Sequence, residues 1–562
     1  MMKQMSPSSA RAKLARDLAI LVLTVLLLTV PFINQAFHWD DRDFIEQARV
    51  AAKDPLQFHF EDYSSRGRFF KTFLFMHPPL ISWYLAPVIR AGGESEPLLH
   101  GAYLAFPLIA TLSMYSLARR FTRRPLAASL LFTFTPGYLV MSHTLMANMP
   151  GVAFWLLASA FFVWGVDRDD WKLLLASGVA MAASIMIFAQ ALALAPILFV
   201  YAALKLRFRL RVIAAFIIPA VVYASWRFYI NSRYGRPPAI SYRVDFNVGN
   251  QMRSLFVFLG GSIVFPLATL VVFLRRKIDL LLAFALVPPL VTWVSIYYIA
   301  KGDLTLVQGL QVAVLAVAGY CIIYGLLFGS ATEAWEIIRR KRRDSTDTIF
   351  LLFWFLGVAA IYAGTTSMPY VAVRHLLPLF APVVLLFVRE ADGLWPTHPR
   401  LTSSLITVTI ALTLLGGLSA SIADYRLAGN YRDFAAQAGQ EYKGSQVKVW
   451  SLGEFGFRYY MEREGFEYLG ANSVASPGDV VFYSEVNGRG VVAPLPEGHY
   501  RRLSQLDVED SFPVRSMNPW SGAGFYGNLM GPLPFTLGTG KLDEISKNEL
   551  FWDTEEPKAG DA

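Results

Sequence analysis

The sequence predicts a polytopic α-helical membrane protein with a small α/β domain at its C-terminal end. Three observations lead there. Hydrophobic residues make up 54% of the 562 positions, and apolar runs long enough to cross a bilayer recur as far as about residue 421. Basic residues gather in the short segments between those runs. Beyond residue 421 the apolar runs give way to short strand-like and helix-like stretches.

The first run follows Lys3, Arg11, Lys13 and Arg16 and continues to Phe32. It has the outline of a signal peptide. The run is longer than an ordinary signal core and no small-x-small cleavage site follows, so it reads as a retained first helix. The expected spans are 17–36, 97–118, 125–142, 149–166, 171–188, 190–204, 211–230, 254–274, 278–299, 304–328, 348–366, 373–388 and 403–421. The pair 171–188 and 190–204 is separated only by Gln190. Fusing it would move three basic clusters to the other side of the membrane, against the tendency of Lys and Arg to stay inside. With the pair kept apart, Arg119, Arg120, Arg123 and Arg124 share one side with Lys205–Arg211, Arg275–Lys277 and Arg339–Arg343. About thirteen spans then place the N-terminus in the cytoplasm of a cell whose plasma (inner) membrane holds the chain, and the tail outside.

The net charge of +9 is accounted for by those loops, which argues against nucleic acid as a partner. Cys321 is alone and lies inside an apolar run, so no intramolecular disulfide forms and the redox compartment is not legible from cysteine.

Two outer segments are longer than turns. In the loop 37–96, Phe44, Ile45, Ala48 and Ala52 have helical spacing. Extended back by a turn, that helix places Asp40 and Asp41 on the side facing protein. A second short helix is expected after His77-Pro78-Pro79, where proline suits a first turn, and its Leu80, Trp83, Tyr84 and Val88 suit the membrane interface. These elements define a membrane domain, 1–421, and a soluble α/β domain, 422–562, with strands at Val447–Leu452 and Asp479–Tyr483 flanking a helix at Glu454–Glu464.

The candidate chemistry starts with Asp40 and Asp41. Sugar transfer needs a carboxylate beside the attacking hydroxyl, and a second acid can orient it or hold a metal; the plainer alternative is a pair of acids capping a helix. Histidines His38, His59, His77, His143 and His375 recur on the outer face. Their spacing matches no compact metal motif, and hydrogen-bonded interfacial histidines are the plainer reading. Arg374 opens a late span, where an arginine is costly unless it is paired or hydrated; a lipid phosphate would suit its fork, and snorkelling to headgroups is the alternative. Lys71, Arg233, Arg236, Arg243 and Arg253 are further phosphate candidates. Asn148, in Met146-Ala147-Asn148-Met149-Pro150, reads as a helix cap or as part of an active-site loop with His143. The tail strings Gly453–Tyr460 and Ala523-Gly524-Phe525-Tyr526 are rich in aromatic residues that either stack on sugar rings or fill a small core.

Taken in order, Asp40-Asp41, His77-Pro78-Pro79-Leu80, Arg374-His375-Leu376-Leu377-Pro378 and the outer tail resemble bacterial membrane glycosyltransferases of the GT-C superfamily. The nearest resemblance is to family 39, which includes protein O-mannosyltransferases and the aminoarabinose transferase acting on lipid A. It covers essentially the whole chain, most specifically 37–150, and the tail strings Gly456–Glu462 and Ala523–Tyr526 resemble bacterial members too. The resemblance implies an inverting transfer of a sugar from a polyprenyl-phosphate donor to a lipid, glycan or protein acceptor at the outer face of the membrane. It implies Asp40 as general base, with Asp41 beside it where the family usually has Glu. It further implies Arg374 on the phosphate that leaves, with Lys71, His77 and His375 as donor-binding candidates. His77 stands where many relatives have Lys, and Asn148 where many have Asp, an exchange that removes a carboxylate. The cofactor is left open, with a divalent cation as one option. The sequence also admits a transporter or lipid-linked sugar flippase, which would place ionisable groups mid-membrane or in paired repeats, and a binding protein that recognises a partner through its tail.

Overall fold

The computed structural model describes residues 7–56, 63–65, 68–70, 77–205, 210–235, 248–263, 285–293, 304–340, 346–364, 372–470, 472–489, 499–528 and 530–551. It is a bundle of apolar helices with a small strand-containing domain at the C-terminal end. Six described helices are long and apolar enough to cross a membrane: Ser8–Phe32, Glu96–Phe121, Asn148–Arg168, Arg211–Tyr234, Leu306–Leu327 and Pro399–Glu441. Three shorter apolar helices accompany them.

In chain order the helices are α1 (Pro7–Thr29), α2 (Asp41–Lys53), α3 (Leu80–Gly92), α4 (Glu96–Tyr103), α5 (Ala105–Phe121), α6 (Pro125–Thr133), α7 (Pro136–Met141), α8 (Asn148–Arg168), α9 (Trp171–Ile185), α10 (Leu194–Leu204), α11 (Leu210–Tyr234), α12 (Val248–Ser262), α13 (Leu306–Arg340), α14 (Thr346–Gly364), α15 (Leu377–Leu394) and α16 (Pro399–Glu441). The first loop carries a short antiparallel pair, β1 (Tyr63–Ser65) and β2 (Arg68–Phe70), and the tail adds α17 (Phe455–Arg463) and α18 (Glu485–Gly488).

The expected span 125–142 is two helices, α6 and α7. Pro136 explains the break: a residue before proline is pushed out of the helical region, and Thr135 sits at ψ 138°. The pair around Gln190 is also two helices, α9 and α10, because Phe188 adopts an extended conformation and a 3-10 turn, Ala189–Ala193, precedes α10. Helices α12 and α13 cross at glycines. A Cβ on Gly260 would come within 1.9 Å of the Leu315 carbonyl, and one on Gly319 equally close to that of Phe256. Such close backbone approach suits helices that associate without a hydrophobic driving force.

Charges collect at the end of the bundle far from Asp40. Arg120 pairs with Asp167 and Asp347, Lys205 with Asp347, and Arg124 with Asp392. This gathers Arg120, Arg124 and Lys205, three of the basic residues expected on one side. Arg207, Arg209 and Arg275–Lys277 lie outside the described residues.

Helix α16 runs for 43 residues without interruption through the expected boundary at 421/422. Its last turns lie against the tail sheet, where Phe434 meets Phe457 at 6.0 Å and Phe482 at 5.4 Å between ring centroids. That sheet contains β3 (Val449–Leu452), β4 (Glu467–Tyr468), β5 (Val480–Ser484), β6 (Tyr500–Asp510) and β11 (Gly540–Leu550), in the order β4-β3-β5-β11-β6. Strand β3 is parallel to β4 and β5, whereas β11 is antiparallel to β5 and β6. Between β6 and β11 lie the short strands β7 (Val514–Arg515), β8 (Met517–Asn518), β9 (Ala523–Gly524) and β10 (Thr536–Leu537). The strands and helix expected near 447–452, 454–464 and 479–483 appear as β3, α17 and β5.

The tail docks on the first loop through α17. Tyr460 accepts the Phe37 N–H at 2.8 Å and donates to Glu96 at 2.9 Å, while Arg42 reaches Glu462 at 3.0 Å. Gly456 makes the approach possible, since a Cβ there would lie 2.3 Å from the Phe37 carbonyl oxygen. A Gly456→Ala variant should therefore lose about 1–3 kcal/mol through overpacking, visible as a lower thermal midpoint in detergent. An unchanged midpoint would show that the loop can retreat without cost.

Candidate active site

Asp40 is the N-cap of α2, and Asp41 is its first residue. The two acids face different surroundings. The Asp40 side chain is 34% exposed and pairs with Arg374, Oδ2 to Nη2, at 3.0 Å. Asp41 is fully buried. One of its oxygens accepts the Leu145 N–H at 2.8 Å and the other the His38 N–H at 3.2 Å, tying the loop before α8 to the first loop.

Arg374 is held in a 3-10 turn, Val373–Leu376, ahead of α15. It is 6% exposed. Its guanidinium also touches the Met146 sulfur at 3.2 Å and lies 5.9 Å from the Tyr526 ring centre. The turn is anchored from the tail, because Val373 donates its N–H to the Phe525 carbonyl at 3.1 Å. His77 stacks on Phe44 at 5.7 Å and feels the charges of both Asp40 and Arg374. Desolvation holds its imidazole down at about 4, Asp40 offsetting part of the effect, so His77 is neutral at pH 7. His375 is within electrostatic reach of Arg374 and His77. Asp40, His77, Arg374 and His375 therefore converge, although 335 positions separate the first from the last.

Other expected residues lie elsewhere. His143 is buried, stacks on Phe32 at 4.3 Å and donates from Nε2 to the Leu28 carbonyl at 3.0 Å. Burial lowers it to about 4, so it is a neutral tether of α1 rather than part of the Asp40 cluster. Asn148 is the first residue of α8, whose N-cap is Ala147. Arg253 is 6% exposed with its guanidinium 5.1 Å from the Trp293 ring centre. Lys71, His59, Arg236 and Arg243 lie outside the described residues. Among the described residues, no group of three or more His, Cys, Asp or Glu side chains is arranged to hold a metal ion.

Sequence reasoning overlooked the support behind Asp40. Asp424, on α16, is 1% exposed. Its Oδ2 accepts from His38 Nε2 at 2.7 Å, the Tyr526 hydroxyl at 2.8 Å and Gln35 at 3.3 Å, and its Oδ1 from Ser516 at 3.1 Å. A carboxylate closing a long apolar run is expensive without partners, and that expense was the available signal. Between His38 and Asp40, Trp39 adopts φ +46°, a left-handed conformation that is an outlier for so bulky a residue. Its ring stacks on Tyr526 at 5.3 Å and meets Phe455 at 4.7 Å. Phe455 itself has φ +61°. The aromatic tail strings thus line the acidic loop as well as packing the small domain.

Burial opposes charge on His38, but Asp424 and Asp41 more than reverse this and raise its imidazole to about 10. Tyr526 is kept protonated by burial and then by Asp424. Because the folded state holds the His38 proton more tightly than an unfolded chain, with its ordinary value of 6.5, the stabilisation is complete below about pH 6.5 and fades as pH rises toward 10. His100 and His143 also feel this charge, from α4 and the loop before α8. Thermal stability should accordingly fall between pH 7 and 10 in the wild type and fall less steeply in His38→Gln. Parallel curves would disprove a charged His38.

Part of the chain matches a known family. Residues 76–226 fit the family model for dolichyl-phosphate-mannose-protein mannosyltransferase; the segment includes His77, His143 and Asn148 but neither Asp40 nor Arg374. Among solved structures, ArnT from Cupriavidus metallidurans bound to undecaprenyl phosphate is similar at 16% identity, TM-score 0.45, over 85% of this chain and 94% of that one. Its apo state gives 14% identity and TM-score 0.40 over the same shares. The S. cerevisiae Pmt1-Pmt2 protein O-mannosyltransferase complex bound to the sugar donor gives 15% identity and TM-score 0.31 over 42% of this chain and 34% of that one. At such scores no residue of this chain takes a role from them. No curated protein matches the sequence. The likeness to dolichyl-phosphate-mannose-protein mannosyltransferases is thus carried by residues 76–226.

Proposed function

We propose that the chain transfers a sugar from a polyprenyl-phosphate donor to an acceptor at the outer face of the cytoplasmic membrane, with inversion at the anomeric carbon. The observation that supports this best is the convergence of a partly exposed carboxylate, Asp40, with a buried guanidinium, Arg374, at 3.0 Å. Both groups needed by such a transfer lie within a few ångströms of each other. Asp40 takes the proton of an acceptor hydroxyl, the acceptor oxygen bonds to the anomeric carbon, and the bond from that carbon to the phosphate oxygen breaks. The electron pair leaves on the phosphate, and Arg374 stabilises that charge from a site screened from water.

The pair also gives an order of events. Donor phosphate competes with Asp40 for the guanidinium, so seating the donor frees the carboxylate to act as base. His77, uncharged beside them, contributes hydrogen bonding and shape rather than charge. Asp41, buried with both oxygens engaged, orients the loop and does not exchange protons with substrate. The acceptor, whether lipid, glycan or protein, and the identity of the sugar are to be found by assay.

Purified protein in lipid should consume one member of a panel of polyprenyl-phosphate sugars. Asp40→Asn should lower turnover by about a hundredfold or more, and Arg374→Ala should weaken use of the donor by about ten- to a hundredfold. Equal turnover by wild type and Asp40→Asn would remove Asp40 as base. Donor movement across the bilayer without transfer would replace the enzyme by a flippase.

A further inference from the structure

We infer that Asp424, near the middle of α16, is a positioning residue for Asp40 and acts through His38. The inference rests on the reading of Asp40 as the base, and it concerns a residue that contacts neither Asp40 nor Arg374 in any described hydrogen bond.

Asp424 receives donors from three separate parts of the chain: Gln35 and His38 before α2, Ser516 between β7 and β8, and Tyr526 after β9. It is sealed from water, so these bonds meet little competition. His38 carries the connection onward. Its Nε2 is committed to Asp424, its Nδ1 lies 3.5 Å from Asp41 Oδ2, and its backbone N–H donates to that same oxygen. The ring and the backbone of residue 38 are therefore both fixed.

The strained backbone of the next residue explains why such fixing is needed. Trp39 holds a left-handed φ of +46° without being glycine, a conformation that persists only where the surroundings over-determine it. Asp424 fixes one side of Trp39 through His38. It fixes the other through Tyr526, whose hydroxyl it binds and whose ring stacks on the Trp39 indole. Released from either side, Trp39 would relax to negative φ and swing its successor in the chain, Asp40, away from Arg374. Direct proton transfer by Asp424 is not an alternative, because both its oxygens are occupied by protein donors and it is 1% exposed.

The test combines turnover with hydrogen exchange of full-length protein in lipid, using Asp424→Asn, His38→Gln and the double variant. If Asp424 positions Asp40, Asp424→Asn lowers kcat by about a hundredfold, the scale of an ångström-sized misplacement, and leaves the donor KM within about twofold. His38→Gln does the same, and the double variant loses little more, because the two residues act as one unit. Amides 38–45 exchange faster in each variant, while those of α8 and β11 keep wild-type protection. Multiplying losses in the double variant, or unchanged exchange at 38–45, would overturn the inference. Wild-type protein that transfers nothing from any donor would refute the proposed function instead, and the exchange arm would still decide whether Asp424 holds the loop. Should Asp424→Asn fail to fold, His38→Gln decides by the same two readouts.

Discussion

Asp424 accepts hydrogen bonds from the first loop and the tail while its own backbone belongs to the last span, so a single sealed carboxylate joins the parts that a membrane protein finds hardest to keep in register. The carboxyl groups of Asp41 and Asp424 and the His38 imidazolium share that water-free space. Burying charge costs several kcal/mol per ion unless partners saturate it. Here the saturation is nearly complete on the carboxylate side, and the cost fixes a geometry instead of a fold. Removing one member strands the others, which makes the arrangement all-or-none. Asp40, next to this trio in sequence, inherits its precision while its side chain stays 34% exposed.

The same reasoning separates the neighbouring acids. Asp40 and Asp41 are identical in chemistry and adjacent in sequence, yet one is partly exposed and faces an arginine while the other faces backbone amides. The left-handed turn at Trp39 and the start of α2 set them apart. Two carboxylates can thus take two tasks without competing for one proton, because they never share an environment.

Much of this was legible in the sequence. Apolar runs give most of the described spans, since a helix that faces lipid must be apolar along its whole length. Arg374 stood out because a guanidinium at a span entrance needs a partner, and Asp40 stood out by adjacency to the first span. The division of 125–142 into α6 and α7 was encoded in Pro136 but masked by continuous hydrophobicity. Asp424 was harder to see. It lies 384 residues after Asp40 in sequence, and no local pattern records a contact made through a third residue and a tail. The tail aromatics could have been core or ligand-facing by composition alone; only their position beside Trp39 separates the two.

Helix α16 carries one more implication. At 1.5 Å per residue its 43 residues extend about 65 Å, roughly twice the hydrocarbon thickness of a bilayer. It has no internal proline, so it acts as a mast that stands in the membrane and bears the tail sheet on its upper turns. Height above the bilayer and rotational phase are then set by residue count. Asp424 and Tyr431, seven residues apart, share one face of the helix and Phe434 lies about 80° round from Asp424, so the network and the tail contacts hold a fixed phase, and each residue added between them would turn the tail by about 100°. The length of the mast between residues 424 and 434 is therefore fixed to the single residue by the contacts at its two ends.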